Sequence, residues 1–167
     1  AAGRVAAVAE AHAALQRSPD LRRADAGAMI ADLCDFVGRL DPAVRVSCTR
    51  QGEATLDVDR AIPLGLVVTE LLTNAVRHAY PEGRGGAVRV HVVASGAGVE
   101  VTVEDDGIGV AGEADKGSLG RELVRSLSAR IGAEIESRSE PGRGTRVCLR
   151  LPAMPANDAA APVAVTA

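Results

Sequence analysis

The sequence predicts an α/β (α+β) domain, a two-layer sandwich in which helices cover one face of a mixed sheet. Two observations carry this reading. Segments with helical periodicity alternate with strand-like segments, and the later strands come in pairs joined by Gly-rich turns, which build antiparallel neighbours rather than all-parallel crossovers. A third observation is composition: 167 residues with 47% hydrophobic and 25% charged side chains suit one soluble folded unit. One Tyr, one Phe and no Trp leave Val, Leu, Ile and Ala to build the core.

Each element follows from its pattern. Apolar and Ala positions recur at helical spacing from Arg4 to Leu15 until Ser18-Pro19-Asp20 interrupts them. Asp25 is placed to cap a second helix through Leu40, with Met29, Ile30, Leu33, Phe36, Val37 and Leu40 at intervals of three and four. Val44 to Thr49 alternates like a half-buried strand, with Ala54 to Val58 as its expected partner. Asp59 opens the longest helix, to about Tyr80, with Pro63 near its first turn, and PEGRGG stops it. Ala87 to Ala94 and Val99 to Glu104 read as a hairpin. A Gly-rich acidic loop spans Asp105 to Gly117, Ser118 to Ile131 is helical, and Glu134 to Ser139 pairs with Thr145 to Leu151 around PGRG. Residues 153–167 read as a flexible tail.

A formal charge of -3 and the near absence of stacking aromatics argue against nucleic acid as a partner. Cys34, Cys48 and Cys148 are in no metal-ligand spacing and read as reduced, buried thiols. No apolar run is long enough to cross a bilayer, and no basic-then-apolar leader opens the sequence. The expected location is cytoplasmic.

Four motifs concentrate the chemistry. On the long helix, Glu70, Asn74, Arg77 and His78 gather in one polar stripe opposite the apolar face. Such a stripe can hold a water or a hard divalent ion through oxygen and neutralise phosphate, although a solvated helix face has the same look. Asp105-Asp106-Gly107-Ile108-Gly109-Val110 puts a carboxylate at a strand end, able to accept from an exocyclic amine, with glycines that permit close approach to a flat ligand. Lys116-Gly117-Ser118-Leu119-Gly120 leads into a helix whose amides can face an anion. Thr145 opens the last strand and can reach a bound base through its hydroxyl. Each signal is modest singly; the four in this order are far more specific.

In that order, ELLTNAVRHAY, DDGIGV, GSLGRELV and GRGTRVCLRLP resemble the ATP-binding catalytic domain of sensor histidine kinases. This domain belongs to the wider GHKL superfamily, which includes gyrase and Hsp90. The stretch IPLGLVVTELLTNAVRHAYPEG is similar to the HisKA_2 type of two-component kinase. The resemblance covers roughly Asp59 to Pro152 and implies the Bergerat nucleotide fold. It implies that Asn74 ligates Mg2+ beside the ATP phosphates, that Glu70 orients or helps activate the reacting group, and that Arg77 contacts phosphate. His78 would belong to the nucleotide pocket and Asp105 would accept from the adenine amino group, with Gly107 and Gly109 letting the chain pass close to the base. Lys116, Gly117, Leu119 and Gly120 would surround the lid and the helix start near the phosphates, with Thr145 behind the adenine.

The resemblance further implies a domain layout: residues 1–20 a remnant of a dimerisation helix, 21–152 the ATP-binding catalytic domain, 153–167 the tail. His12 resembles a position on the second dimerisation helix, so the phosphoacceptor histidine is expected outside this chain. The expected partners are a dimerisation and phosphoacceptor domain and a response regulator, in a homodimeric full-length protein. Two other readings stay open: an anti-sigma-factor type serine kinase of the same superfamily, and a non-catalytic scaffold with a degenerate nucleotide site.

Overall fold

The computed structural model describes residues 22–110 and 119–153, together with Ala9 and Ala13. Apart from those two alanines, the expected helix at Arg4 to Leu15 and the 1–20 remnant lie outside the described residues, as does the expected tail beyond Ala153.

Strand β1 (Arg23–Asp25) leads directly into helix α1 (Ala26–Gly38), followed by β2 (Val44–Gln51). Strand β3 (Thr55–Asp57) leads directly into α2 (Val58–His78). Then come β4 (Gly86–Ser95), β5 (Gly98–Asp105), α3 (Leu119–Arg130), β6 (Glu134–Glu140) and β7 (Gly144–Pro152). The main sheet has the order β2-β4-β5-β7-β6, with β2 parallel to β4 and every other pair antiparallel. This is the expected mixed sheet.

One expectation fails: the 54–58 segment does not pair with β2. β3 instead pairs antiparallel with β1, with Asp25 opposite Thr55 and Arg23 opposite Asp57. Three residues are too few to show alternation, so β1 left no trace in the sequence pattern. The small ladder ties the two helix entrances together, through Ala26 N–H to the Ala54 carbonyl at 2.7 Å and Val58 N–H to the Arg22 carbonyl at 3.0 Å. Asp25 caps α1 as expected, its Oδ1 accepting from Ala28 N at 3.0 Å. The Arg23–Asp57 ion pair, 3.9 Å apart and half exposed on both sides, adds little.

Two smaller differences concern the helices. α1 ends at Gly38, so Leu40 falls beyond it and is 50% exposed rather than part of the apolar face. α2 begins at Val58, which puts Pro63 in its second turn, buried, where it forgoes one helical hydrogen bond.

The core lies between the helices and one face of the sheet. Met29, Ile30, Leu33 and Val37 of α1 and Leu64, Val67, Val68 and Leu72 of α2 join Val88, Val90, Val101 and Leu149 of the sheet in one cluster, each fully buried. Alternation sends the intervening residues to the opposite face. There Glu104 meets Arg146 at 2.5 Å and Glu100 meets Arg150 at 2.9 Å. His91 lies on this polar face and shares a 2.7 Å hydrogen bond with Thr49 Oγ1. Helices on one face and charge on the other give the two-layer sandwich. Leu149→Ala on the inner strand β7 should cost about 2–5 kcal/mol, as cavity formation in a packed core does. Urea unfolding checks it, and a loss well under that range would mean this face is not a shared core.

Candidate functional site

The C-terminal end of β5 organises the site. Asp105 is the last residue of β5 and Asp106 the first beyond it, and their hydrogen bonds take the two side chains to opposite sides. Asp105 Oδ1 accepts from Gly107 N at 3.0 Å and from Thr145 N at 3.2 Å, while Oδ2 has no hydrogen bond among the described residues. Partial burial pushes this carboxyl above the ordinary range, and the two backbone donors pull it partway back. A half-buried carboxylate with one open oxygen is suited to a neutral N–H donor.

Asp106 turns the other way and does different work. Its Oδ1 accepts from Ala87 N at 2.8 Å and from the Tyr80 hydroxyl at 2.9 Å, and Arg89 stands 4.0 Å from Oδ2. The Ala87 amide above all, then Tyr80 and Arg89, hold it below the ordinary carboxylate range. The single Tyr of the sequence thus ties the end of α2 to the start of this loop, its ring packed where a side chain on Gly86 would collide. An open cleft of about 450 Å³ lies on this outer side, lined by Arg45, Arg89 and Asp106 among others. It is separate from the Asp105 side.

The loop is wedged between two elements. Ile108 N–H donates to the Ala79 carbonyl at 2.9 Å, satisfying an end group of α2, and the Ile108 carbonyl accepts from Gly142 N at 2.6 Å. A Cβ on Gly107 would overlap Ala79, and one on Gly109, at φ +57, would overlap the Glu140 carbonyl. The expected reason for these glycines was clearance for a ligand. The structure gives another: both are required by packing against the protein itself. Thr145 Oγ1 meets Ser139 Oγ at 2.9 Å, and Ser139 also accepts from Val110 N at 2.9 Å. Ser139 is a member the motif reading missed, although the hairpin pairing already set it opposite Thr145.

A second group gathers on α2. A Cβ on Gly120, in the first turn of α3, would stand 3.0 Å from Glu70 Oε2 and 4.0 Å from Asn74 Nδ2, so the small residue lets α3 begin against these two side chains. Asn74 is exposed and Glu70 half-buried. Arg77 and His78 are exposed one turn further on and have no hydrogen bond or ion pair among the described residues. The two groups share α2: Asn74 lies five residues before Ala79, or roughly 7.5 Å along the axis, and Ala79 supports the Asp105 loop. Leu119 opens α3, while Lys116 and Gly117 fall outside the described residues. No group of three or more His, Cys, Asp or Glu side chains gathers into a metal cluster among the described residues. Glu70 and Asn74 do offer side-chain oxygens, the donor type that a hard divalent ion takes.

Residues 59–155, more than half of the chain, match the family described as histidine kinase-, DNA gyrase B-, and HSP90-like ATPases. The chain belongs to this ATPase family. It is 34% identical over 131 residues to blue-light-activated histidine kinase 2 of Erythrobacter litoralis (strain HTCC2594), covering 75% of this chain and 38% of that protein. It is 34% identical over 157 residues to the sensor histidine kinase PdtaS of Mycobacterium tuberculosis, covering 89% of this chain and 31% of that protein. The chain thus spans about a third of the length of these curated relatives. Among solved structures, the histidine kinase domain from Erythrobacter litoralis EL346 superposes with a TM-score of 0.80 at 28% identity, covering 90% of this chain and 73% of that one. The fold is that of histidine kinase ATPase domains.

The two aspartates should respond oppositely to acid. Asp106, with its folded pKa below the ordinary 3.8, contributes stability that is present above that value and lost as pH falls through the folded pKa. Asp105, raised above 3.8, binds its proton earlier in the folded state and opposes that loss. Asp106→Asn should therefore lose less of its neutral-pH stability than wild type between about pH 5 and pH 3, measured by urea midpoints across that window. An equal or larger loss would remove Asp106 from the acid response.

Proposed function

We propose that this chain is the ATP-binding catalytic domain of a two-component sensor histidine kinase. It binds Mg·ATP and transfers the γ-phosphoryl group to a histidine on a dimerisation domain outside the described residues. An aspartate of a response regulator then takes the group from that histidine. The observation that carries the proposal is the open Oδ2 of Asp105, whose other oxygen accepts from Gly107 N and Thr145 N, at the start of a loop anchored to the helix that bears Glu70 and Asn74. The matched family and the kinase relatives support the same reading.

In this scheme Asp105 Oδ2 accepts from the adenine amino group, and the loop and Thr145 line the base end. Asn74 supplies an oxygen ligand to Mg2+, and Glu70, half-buried beside it, orients the attacking group. Arg77, with the segment from Lys116 and Gly117 through Leu119 to Gly120, offsets phosphate charge, and His78 borders the same pocket. Bound Mg·ATP supplies the phosphoryl group and the charge neutralisation that its transfer needs. The protein's share is placement, since such a transfer depends on alignment and electrostatics more than on covalent help.

Asp105→Asn should weaken Mg·ATP binding by about 1–3 kcal/mol, or roughly 5- to 150-fold, by mispairing one half-buried acceptor. Isothermal titration reads this directly, and a wild-type protein that binds nothing at millimolar Mg·ATP would defeat the proposal. Asn74→Ala should keep its circular dichroism and melting point yet fail to phosphorylate an added dimerisation domain in Mg2+. Wild-type product should be acid-labile, as phosphohistidine is; an acid-stable phosphoserine product would favour the anti-sigma-factor reading instead.

A further inference from the structure

The cysteines are expected from the sequence to be reduced, buried thiols. All three are free, but two of them are neighbours. Cys34 lies on α1 and Cys48 on β2, close enough that each thiol acts on the ionisation of the other. The backbone geometry places them there independently. Gly38 of α1 sits over Val46 of β2, where a Cβ on the glycine would stand 3.3 Å from the Val46 Cβ. At the other end of the helix, Gly27 lies 3.2 Å by the same measure from the Arg50 side chain. Helix and edge strand therefore run antiparallel and very close. From Gly38 back to Cys34 is about 6 Å of helix, and from Val46 on to Cys48 about 6.6 Å of strand, so the two thiols fall at one level.

Accessibility divides the pair. Cys34 is 2% exposed, whereas Cys48 is half-buried on the outermost strand of the sheet. Hydrogen bonding from Cys34 and the Arg50 guanidinium lower the Cys48 pKa, while Cys48 and burial hold Cys34 up. Asp35 opposes ionisation of both. Cys148 cannot join them: it pairs opposite Thr102 on the polar face, and the sheet lies between.

We infer that Cys34 and Cys48 form a reversible oxidation site, in which a hydroperoxide converts the two thiols into a disulfide stapling α1 to β2. The Cys48 thiolate attacks the peroxide, forming an S–O bond as the O–O bond breaks, and the departing alkoxide or hydroxide takes up a proton. Cys34 sulfur then attacks the Cys48 sulfenic acid. The S–S bond forms as the S–O bond breaks, and the hydroxide leaves as water with the Cys34 proton. In balance, two thiols and one hydroperoxide give one disulfide, one alcohol or water, and one water.

The test is titration of the folded chain with hydrogen peroxide, followed by mass spectrometry and non-reducing peptide mapping. Wild type and Cys148→Ser should each lose two hydrogens, link the Cys34 and Cys48 peptides, and recover both thiols with dithiothreitol. Cys34→Ala, confirmed as folded by circular dichroism, should stop at a dimedone-trapped sulfenic acid on Cys48. Cys48→Ser should leave Cys34 reduced. The linked form should melt several degrees higher than the reduced form. Oxidation of Cys48 in wild type with Cys34 still titrating as a free thiol, or a cross-link that involves Cys148, would overturn the assignment.

Discussion

Extended backbone sends neighbouring side chains to opposite sides, and at the end of β5 that constraint divides two identical residues into different tasks. Asp105 turns toward α2 and β7, where the Gly107 and Thr145 amides hold one oxygen and leave the other open. Asp106 turns outward to Tyr80 and Ala87 and anchors the loop from behind. Neither arrangement stands without the other. If the Asp106 contacts were lost, the Ile108 hydrogen bonds to Ala79 and Gly142 would have to hold the loop alone, and the open oxygen of Asp105 would no longer keep a fixed relation to α2. The glycines serve the same constraint, because only a residue without Cβ fits at Gly107 and Gly109 between the helix end and the last hairpin.

The support for α2 comes from further away. The short β1–β3 ladder brings the first residues of α1 and α2 side by side, and a layer of aliphatic side chains presses both helices onto one face of the sheet. A core almost free of aromatics relies on many interdigitated Val and Leu contacts instead of a few large rings. Close approach is the result: Gly38 over Val46, Gly27 over Arg50, and between them the thiols of Cys34 and Cys48. The same tight seam that steadies the helix layer thus creates a chemically distinct position at the sheet's edge.

Most of the fold was legible because its elements are long enough for periodicity to show. The 3.6-residue repeat of α2, the two Gly-turn hairpins and the Asp25 cap all follow from side-chain pattern and turn chemistry, which act locally. β1 was not legible, since Arg23–Asp25 is a strand only because Thr55–Asp57 lies beside it. At the site, Glu70, Asn74, Asp105 and Thr145 were visible as motif members. Ser139 was not, because an ordinary serine in a polar strand carries no signal until its partner is in place, and Tyr80, though inside a motif, had no role to read until Asp106 stood beside it.

The amino-acid order alone determined which segments become helix or strand, which face of each is apolar, and which polar residues stand on α2 and at the end of β5. Local interactions decide those features, and the chain carries them before it folds. Tertiary structure decided the rest: that β3 joins β1 and not β2, that the Asp105 and Asp106 roles diverge, that Gly107 and Gly109 answer to Ala79 and Glu140, and that Cys34 and Cys48 fall at one level of the seam between α1 and β2. These depend on contacts between residues far apart in sequence, whose spacing is set only when helices and sheet pack to their final distance.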